Sequence, residues 1–576
     1  MERRIACILT TVTFLLGGCA GTSKLVTESN QTPVELTIFH NNDGESQLIN
    51  AGTGLEDFGG IARFSQKLKE LVAELPSETQ HLVLSSGDNI LPGPELRVSM
   101  DKGPPFLDAV AINNLKYNAL CFGNHDFDLG PDFLADFVSS TNESVTFLAA
   151  NLDFSREPKL KSLWKKGRIA GHKIVELSNG SKIGIIGIIT PRLPNISAPR
   201  KVKTSGRLAY IVQSEVHALE AKGVNKIVLL SHLQDISIEV ELIKEIEGVD
   251  VVIGGGGDEL LSNKETLLVP GDEKANRGPY PLMVNSKDGR RIPIVTTAGS
   301  FRYIGKLVLK FSADGHIQSV DKSSGVFRVA SQKFPDGVAE DPVMIKQVLQ
   351  PLKQGLTKIA KTELAKSKVS LEGRRSKVRG QETNLGNLVA DAFLWYGQRH
   401  AADHDLPNPD VGLVNGGAIR NDSIIPIGTL SELDAQKIVP LPGFVSLVSN
   451  VPVRRLKEVM EYSIKNIGGG AFLQISGMKV EYDVSRSSDR VRNISLDDGT
   501  VLVKDGKIIE EEKSLSIATL SFLAKGGGKI PLKGLDSSNF AANYKKALVD
   551  YLKHLKSITP KQYRAASKRL IPVSKK

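Results

Sequence analysis

Three cysteines in 576 residues are too few for a disulfide framework. Stability must come from buried apolar surface, and a chain of this length that is 40% hydrophobic and 24% charged has enough for two or three domains. Long apolar runs are also missing. The longest candidate, Ile5 to Leu16, falls short of the roughly 20 residues a membrane-spanning helix needs. No motif for reading nucleic-acid bases appears, so the net charge of +10 does not argue for a nucleic-acid partner. Lys and Arg are scattered along the chain, a distribution that suits anionic phosphate compounds or anionic lipid.

What is present begins with an address. Arg3 and Arg4 precede the short apolar run, which ends in Leu16-Gly17-Gly18-Cys19. This pattern resembles a bacterial lipobox, which implies a signal peptide over 1–18, lipid on the Cys19 thiol and a polar tether over 19–33. The expected location is the bacterial cell envelope, on the periplasmic or extracellular face, with the membrane reached through that anchor. With Cys7 removed and Cys19 acylated, Cys121 has no disulfide partner.

From Val34 onward, apolar runs alternate with helical stretches, the signature of an α/β domain. Leu36 to Phe39, Leu82 to Leu84, Ala119 to Phe122, Lys226 to Leu230 and Val249 to Ile253 read as strands, and Ile61 to Leu71 as a helix. Polar clusters follow the strands: Asn41-Asn42-Asp43-Gly44-Glu45, Ser86-Gly87-Asp88-Asn89, Gly123-Asn124-His125-Asp126-Phe127-Asp128, Ser231-His232, and Gly254 to Gly257 with Asp258. One Asp after a strand is commonly a cap or turn residue. Five such clusters, all at carboxyl ends of strands, mark the edge where open α/β sheets keep their sites.

In order and spacing these clusters resemble the 5′-nucleotidase family, whose motifs run Asn-Asp-x-His, Gly-Asp, Gly-Asn-His-Glu/Asp, a lone His after a strand, and Gly-Gly-His-x-His/Gln. The resemblance covers nearly all of the mature chain. It implies an N-terminal metallophosphoesterase β-sandwich flanked by helices (34–335), a linker helix (336–361), an α+β C-terminal substrate domain (362–563) and a tail (564–576). It also implies two divalent ions, with Asp43, Glu45 and Asp258 on the first, Asn124 and His232 on the second, and Asp88 bridging. His125 would stabilise the transition state or protonate the leaving oxygen, oriented by Asp128. Pro351 and Gly355 are expected to interrupt the linker helix. In the second domain, Arg375, Arg379 and Arg420 match the family's phosphate-binding arginines, and Asn415 opens its Asn-Gly-Gly segment.

Three departures qualify what is implied. The first-motif His is Glu45, and the His of Gly-Gly-His is Gly256. Exchanging imidazole for carboxylate hardens the first site, so Mn²⁺, Mg²⁺ or Ca²⁺ is expected there over Zn²⁺. The two aromatic rings that sandwich a nucleobase in the family are replaced in Pro440-Leu441-Pro442-Gly443 and Gly526-Gly527-Gly528-Lys529-Ile530, with Phe444 and Phe522 as possible neighbours in that role. Three functions are therefore open: a 5′-nucleotidase, a phosphomonoesterase indifferent to the base, or a silent surface protein that binds nucleotides or a partner. Oligomeric state is not legible.

Overall fold

The structure is a computed structural model that describes residues 33–441, 443–564 and 568–573. The signal segment, Cys19, most of the tether, and Pro442 lie outside the described residues. No helix among the described residues is long and apolar enough to cross a membrane.

Strands β1 (Val34–Asn41), β2 (Gln80–Ser85) and β3 (Ala119–Cys121) run parallel and adjacent, with the antiparallel strand Tyr303–Phe311 on the far side of β1. A second sheet sets β4 (Lys182–Ile189), β5 (Ile227–His232) and β6 (Val251–Ile253) parallel to one another. These strands read as unbroken apolar runs because they are covered on both faces. Between the sheets lies a core containing Ile38, Leu84, Cys121, Ile185, Leu230 and Ile253. Helices such as Ile61–Ala73 and Pro131–Ser139 cover the outer face of the first sheet, and Leu208–Glu220 and Ile236–Ile243 that of the second. The result is the sandwich flanked by helices expected from the sequence. The parallel order brings the carboxyl ends of β1, β2, β3, β5 and β6 to one edge.

That edge is braced from behind. The loop after β1 passes over the first turn of helix Pro94–Lys102, where Glu95 Oε2 accepts from the Leu48 N–H at 2.6 Å and the Ile49 N–H at 3.3 Å.

The expected interruption of the linker takes the form of a π turn just before Pro351, and none occurs at Gly355. Pro342–Met344 leads into a single π turn, Ile345–Leu349, and an α-helix then runs through Gly355 to Ala360. Pro351 follows closely on that π turn, which shifts the hydrogen-bond ladder where its N–H is missing. Gly355 does not interrupt the helix, and serves close packing against Val98, which a Cβ there would meet at 2.2 Å. Met344, Val348, Leu349 and Leu352 are buried in the core of the first domain. The same helix also touches Glu432–Ile438 of the second domain.

The second domain holds one sheet ordered Leu473–Ser476, Val411–Asn415, Ser514–Leu520, Phe444–Pro452, Ser537–Asn543. Helix Asn384–His400, capped by the Thr383 hydroxyl, packs on it. The sequence reading that ended this domain at Tyr563 and called the rest a tail needs correcting. Leu570–Pro572 pairs parallel with Met478–Tyr482, and Arg569 grips Asp391 at 2.6 Å. A three-residue strand ending in Pro, next to a basic segment, carries too little periodicity to be read.

Burial pushes Glu95 up to about 8, with Asp108 adding to the shift and the Leu48 and Ile49 N–H groups opposing it. The folded state thus holds this proton more tightly than the unfolded chain, whose glutamate titrates near 4.5. Its contribution to stability is complete below that pH and is lost as pH rises towards about 8. Glu95→Gln, neutral throughout, is expected to match the parent near pH 4.5 and to exceed it at pH 8 in chemical denaturation. Parallel stability profiles for the two proteins across that window would refute this.

Candidate metal centre and anion site

The five strand ends converge. Ligand-type atoms of Asp43, Asp88 and His232 lie within 4.8 Å of one another, as do those of Glu45, Asp88 and His125. Asp88 belongs to both groups. Each side chain is aimed by backbone contacts. Asp43 accepts from the Gly256 N–H at 2.9 Å and from the Asn42 amide at 2.5 Å. Asn42 is itself fixed by Thr297, through both its carbonyl and its N–H. Asp88 Oδ1 accepts from the His125 N–H at 2.7 Å. Asp126, which carries no ligand role, ties the hexapeptide together by accepting from the N–H groups of Gly123, Asn89 and Ile90.

The imidazoles have defined roles. His232 Nδ1 faces the Ser86 carbonyl at 2.8 Å. A carbonyl only accepts, so Nδ1 carries a proton, and Nε2, 3.1 Å from Asp88 Oδ2 and 3.3 Å from Asn124 Oδ1, is the nitrogen placed to serve a cation. His125 Nδ1 lies 2.7 Å from Asp128, whose other oxygen accepts from the Ser197 hydroxyl at 2.7 Å.

Electrostatics mark this pocket as a place for positive charge. Burial raises Asp43 to about 6, with His232 opposing and Asp88 reinforcing. Glu45 rises to about 7 by burial, opposed by His125 and assisted by Asp258 and Asp43. Burial alone would lower both imidazoles. For His232, Asp88 and Asp43 overcome it and hold the ring at about 10; for His125, Asp128, Asp88 and Glu45 do the same. Carboxylate and amide oxygens with an imidazole nitrogen, packed this closely, fit divalent cations. Asp43, Glu45, Asp88 and Asp258 all have φ between 50° and 55°, a left-handed backbone unusual for these residues and found where function over-determines the structure.

Asp258 lies at the rim. Its side chain is 60% exposed and 3.5 Å from Arg302, while still acting on Asp43 and Glu45. The next residue, Glu259, accepts from the Ile236 N–H and pairs with Arg277. Sequence reasoning missed Gln234, whose Nε2 donates to Asn124 Oδ1 at 2.5 Å. Its place two residues beyond His232 was the available signal.

A second cluster sits in the other domain. Arg379 closes the short helix Arg375–Val378, and its guanidinium is lowered to about 10 by burial, then by Arg375 and Arg420, with Asp422 opposing. Among the described residues, Arg379 Nε and Asn415 Oδ1 are buried without a hydrogen-bond partner. Gathered cations plus unsatisfied polar atoms fit an anion with a donor group attached. Arg374, by contrast, is exposed and paired with Glu372. Phe444 is 50% exposed, and the half-buried Phe522 ring lies over Gly527, where a Cβ would meet it at 2.5 Å. The turn Gly527–Lys529 packs against Leu193–Ile196, which leads into Ser197.

Comparison with known proteins agrees with this geometry. Residues 358–533 match the family described as 5′-nucleotidase, C-terminal domain. The chain is 31% identical to a snake venom 5′-nucleotidase of Crotalus adamanteus over 91% of this chain and 87% of that protein. It is 29% identical to the 5′-nucleotidase of Bos taurus over 86% and 84% respectively. Among solved structures, a 5′-nucleotidase precursor from Thermus thermophilus superposes with a TM-score of 0.72 at 28% identity, covering 94% of this chain and 100% of that one.

A carboxylate common to both ligand groups makes Asp88→Asn the most damaging single change to metal retention. In titration calorimetry with Mn²⁺, Asp88→Asn is expected to weaken every binding event and Glu45→Gln only one. An Asp88→Asn protein with one event at parental affinity would show that the two groups do not share it.

Proposed function

The chain belongs to the 5′-nucleotidase family, and we propose that it releases phosphate from nucleotides and other organic phosphomonoesters by attack of water at a two-cation centre. The observation that carries this reading is the gathering of Asp43, Glu45, His125 and His232 around one shared carboxylate, Asp88, while the division of ligands between two cations follows the family motif. Asp43, Glu45 and Asp258 would hold the first cation, Asn124 and His232 the second, and Asp88 both. When bound, such cations neutralise phosphoryl charge and generate a nucleophile from water near neutral pH.

The remaining work falls to the chain's own side chains. Arg375, Arg379 and Arg420 grip phosphate oxygens, and Asn415 Oδ1 accepts from an N–H or O–H of the substrate. His125, kept protonated by Asp128, Asp88 and Glu45 against the effect of burial, gives a proton to the leaving oxygen. Asp128, itself held by Ser197, fixes the ring with Nε2 free for that transfer. An oxygen-rich first site favours Mn²⁺, Mg²⁺ or Ca²⁺ over Zn²⁺. Lipid on Cys19 would keep the enzyme at the bacterial envelope.

The base pocket supports breadth over strict nucleotide selectivity. Aromatic stacking is worth about 1–3 kcal/mol per base, and aliphatic or glycine residues stand where the family's two rings would be. Phe444 and Phe522 offer at most a partial substitute, one half exposed and the other lying on Gly527.

Two measurements test this. His125→Ala is expected to lower kcat by about 10²- to 10⁴-fold with bound metal unchanged; a fall caused by metal loss would contradict the acid role. Across a panel of AMP, glycerol phosphate and p-nitrophenyl phosphate, kcat/KM is expected to vary within about tenfold. An AMP preference beyond a hundredfold would restore a selective base site, and no turnover with Mn²⁺, Mg²⁺, Ca²⁺ or Zn²⁺ alongside AMP binding would favour a silent receptor.

A further inference from the structure

Position 256, where the family motif has His, is Gly in this chain, so the second cation lacks an imidazole that the motif supplies. The space is nonetheless filled. A Cβ built on Gly256 would lie 2.4 Å from Gln234 Nε2 and 2.8 Å from His232 Nε2. A side chain at 256 and the Gln234 amide therefore claim the same volume. Gly256 has φ 91°, which glycine adopts freely, while Gln234 is held at φ 80°, a backbone that glutamine rarely takes. Such strain persists where a side chain is being delivered to a particular point.

That point is the second cation position. The Gln234 amide nitrogen lies 2.5 Å from Asn124 Oδ1, which is 3.3 Å from His232 Nε2, itself 3.1 Å from Asp88 Oδ2. Glutamine's amide ends are nearly isosteric, and half a turn about its last bond exchanges N–H₂ for a carbonyl oxygen. Once the Asn124 oxygen turns its lone pair to a cation, the Gln234 carbonyl is the end with chemistry to offer.

We propose that Gln234 Oε1 is a ligand of the second cation, delivered from the segment after β5 in place of an imidazole from the segment after β6. The proposal rests on the two-cation reading above. The second position then has Asp88, Asn124, Gln234 and His232: three oxygens and one nitrogen, a set suited to Mn²⁺ or Mg²⁺.

The test is Mn²⁺ titration calorimetry of the full chain and two variants, with thermal melts in EDTA as a folding control. The parent is expected to show two binding events. Gln234→Gly, which removes the side chain and relaxes the backbone, should leave the first event unchanged and weaken the second about 10- to 100-fold. Gln234→Glu keeps an oxygen but cannot donate to Asn124, so it should hold the second event at or above parental affinity. Were Gln234 only a hydrogen-bond brace for Asn124, Gln234→Glu would weaken binding as much as Gln234→Gly. Parental affinity in Gln234→Gly overturns the proposal while leaving the two-cation reading intact. A single event in the parent removes that reading, and this proposal with it.

Discussion

Everything at the sandwich edge answers to one problem, the crowding of like charge away from water. Asp43 and Asp88 have carboxylate oxygens within 4.8 Å, and both are almost fully buried. At an effective dielectric of about 20, that repulsion is on the order of 3 kcal/mol or more. Against a net stability of roughly 5–15 kcal/mol, it is tolerable only if opposed on the spot. The opposition is built from backbone: N–H groups of Gly256 and His125 on the carboxylates, and the Ser86 carbonyl on His232. Left-handed φ values at Asp43, Glu45, Asp88 and Asp258 show where the chain has been bent to deliver these groups. Two sheets with a dry, apolar interior hold those bends, since no single loop has enough contacts to do so.

The second domain solves the converse problem, crowding of positive charge. Arg379 is partly buried beside Arg375 and Arg420, with Asp422 the carboxylate acting against them. Separately each cluster is frustrated, and a phosphate with counter-cations relieves both. The linker helix belongs to the core of the first domain and also touches the second, while the turn at Gly527–Lys529 rests on the segment entering Ser197. Ser197 holds Asp128, and Asp128 holds His125. The loop nearest the expected base pocket is thus two hydrogen bonds and one turn away from His125. This is a physical route by which binding of the non-phosphate part of a substrate can bear on chemistry.

Much of this was legible because parallel strands buried on both faces write themselves as apolar runs, and because their polar ends carry chemistry in a fixed order. Strands ending at Asn41, Cys121 and His232 place Asp43, Asn124 and His232 almost by counting. What was not legible depended on contacts between distant segments. The role of Gly355 is set by Val98, the last strand by Met478–Tyr482, and the orientation of Asp128 by Ser197. Gln234 escaped notice because an isolated glutamine after a strand has no distinguishing chemistry. Its meaning lies in the space beside Gly256 that its amide fills, a contact between the segments after β5 and β6. Asp258 shows the opposite limit, since spacing puts it in line with the cluster while its side chain lies largely in solvent beside Arg302.

The two lost imidazoles bear on whether the site is maintained or decaying. Random loss of a ligand leaves a cavity or an inert side chain, and the surrounding carboxylates then stay unpaired at the cost described above. Here, Glu45 stands where the first imidazole would be and lies within ligand distance of Asp88, and the Gln234 amide occupies the volume of the second. Glu45 brings an oxygen, Gln234 can turn one inward by half a rotation of its amide, and both lie on segments whose backbone is strained to place them. Two independent drifts towards the same donor type, each in the right volume, are hard to obtain without a cation selecting for them. Softer donors favour zinc and copper, whereas carboxylate and amide oxygens suit magnesium, manganese and calcium. On the readings proposed above, the centre carries more oxygen and less nitrogen than the family motif. His125, Asp88 and the arginine cluster stand unchanged beside it, so the proposed difference bears on the choice of ion.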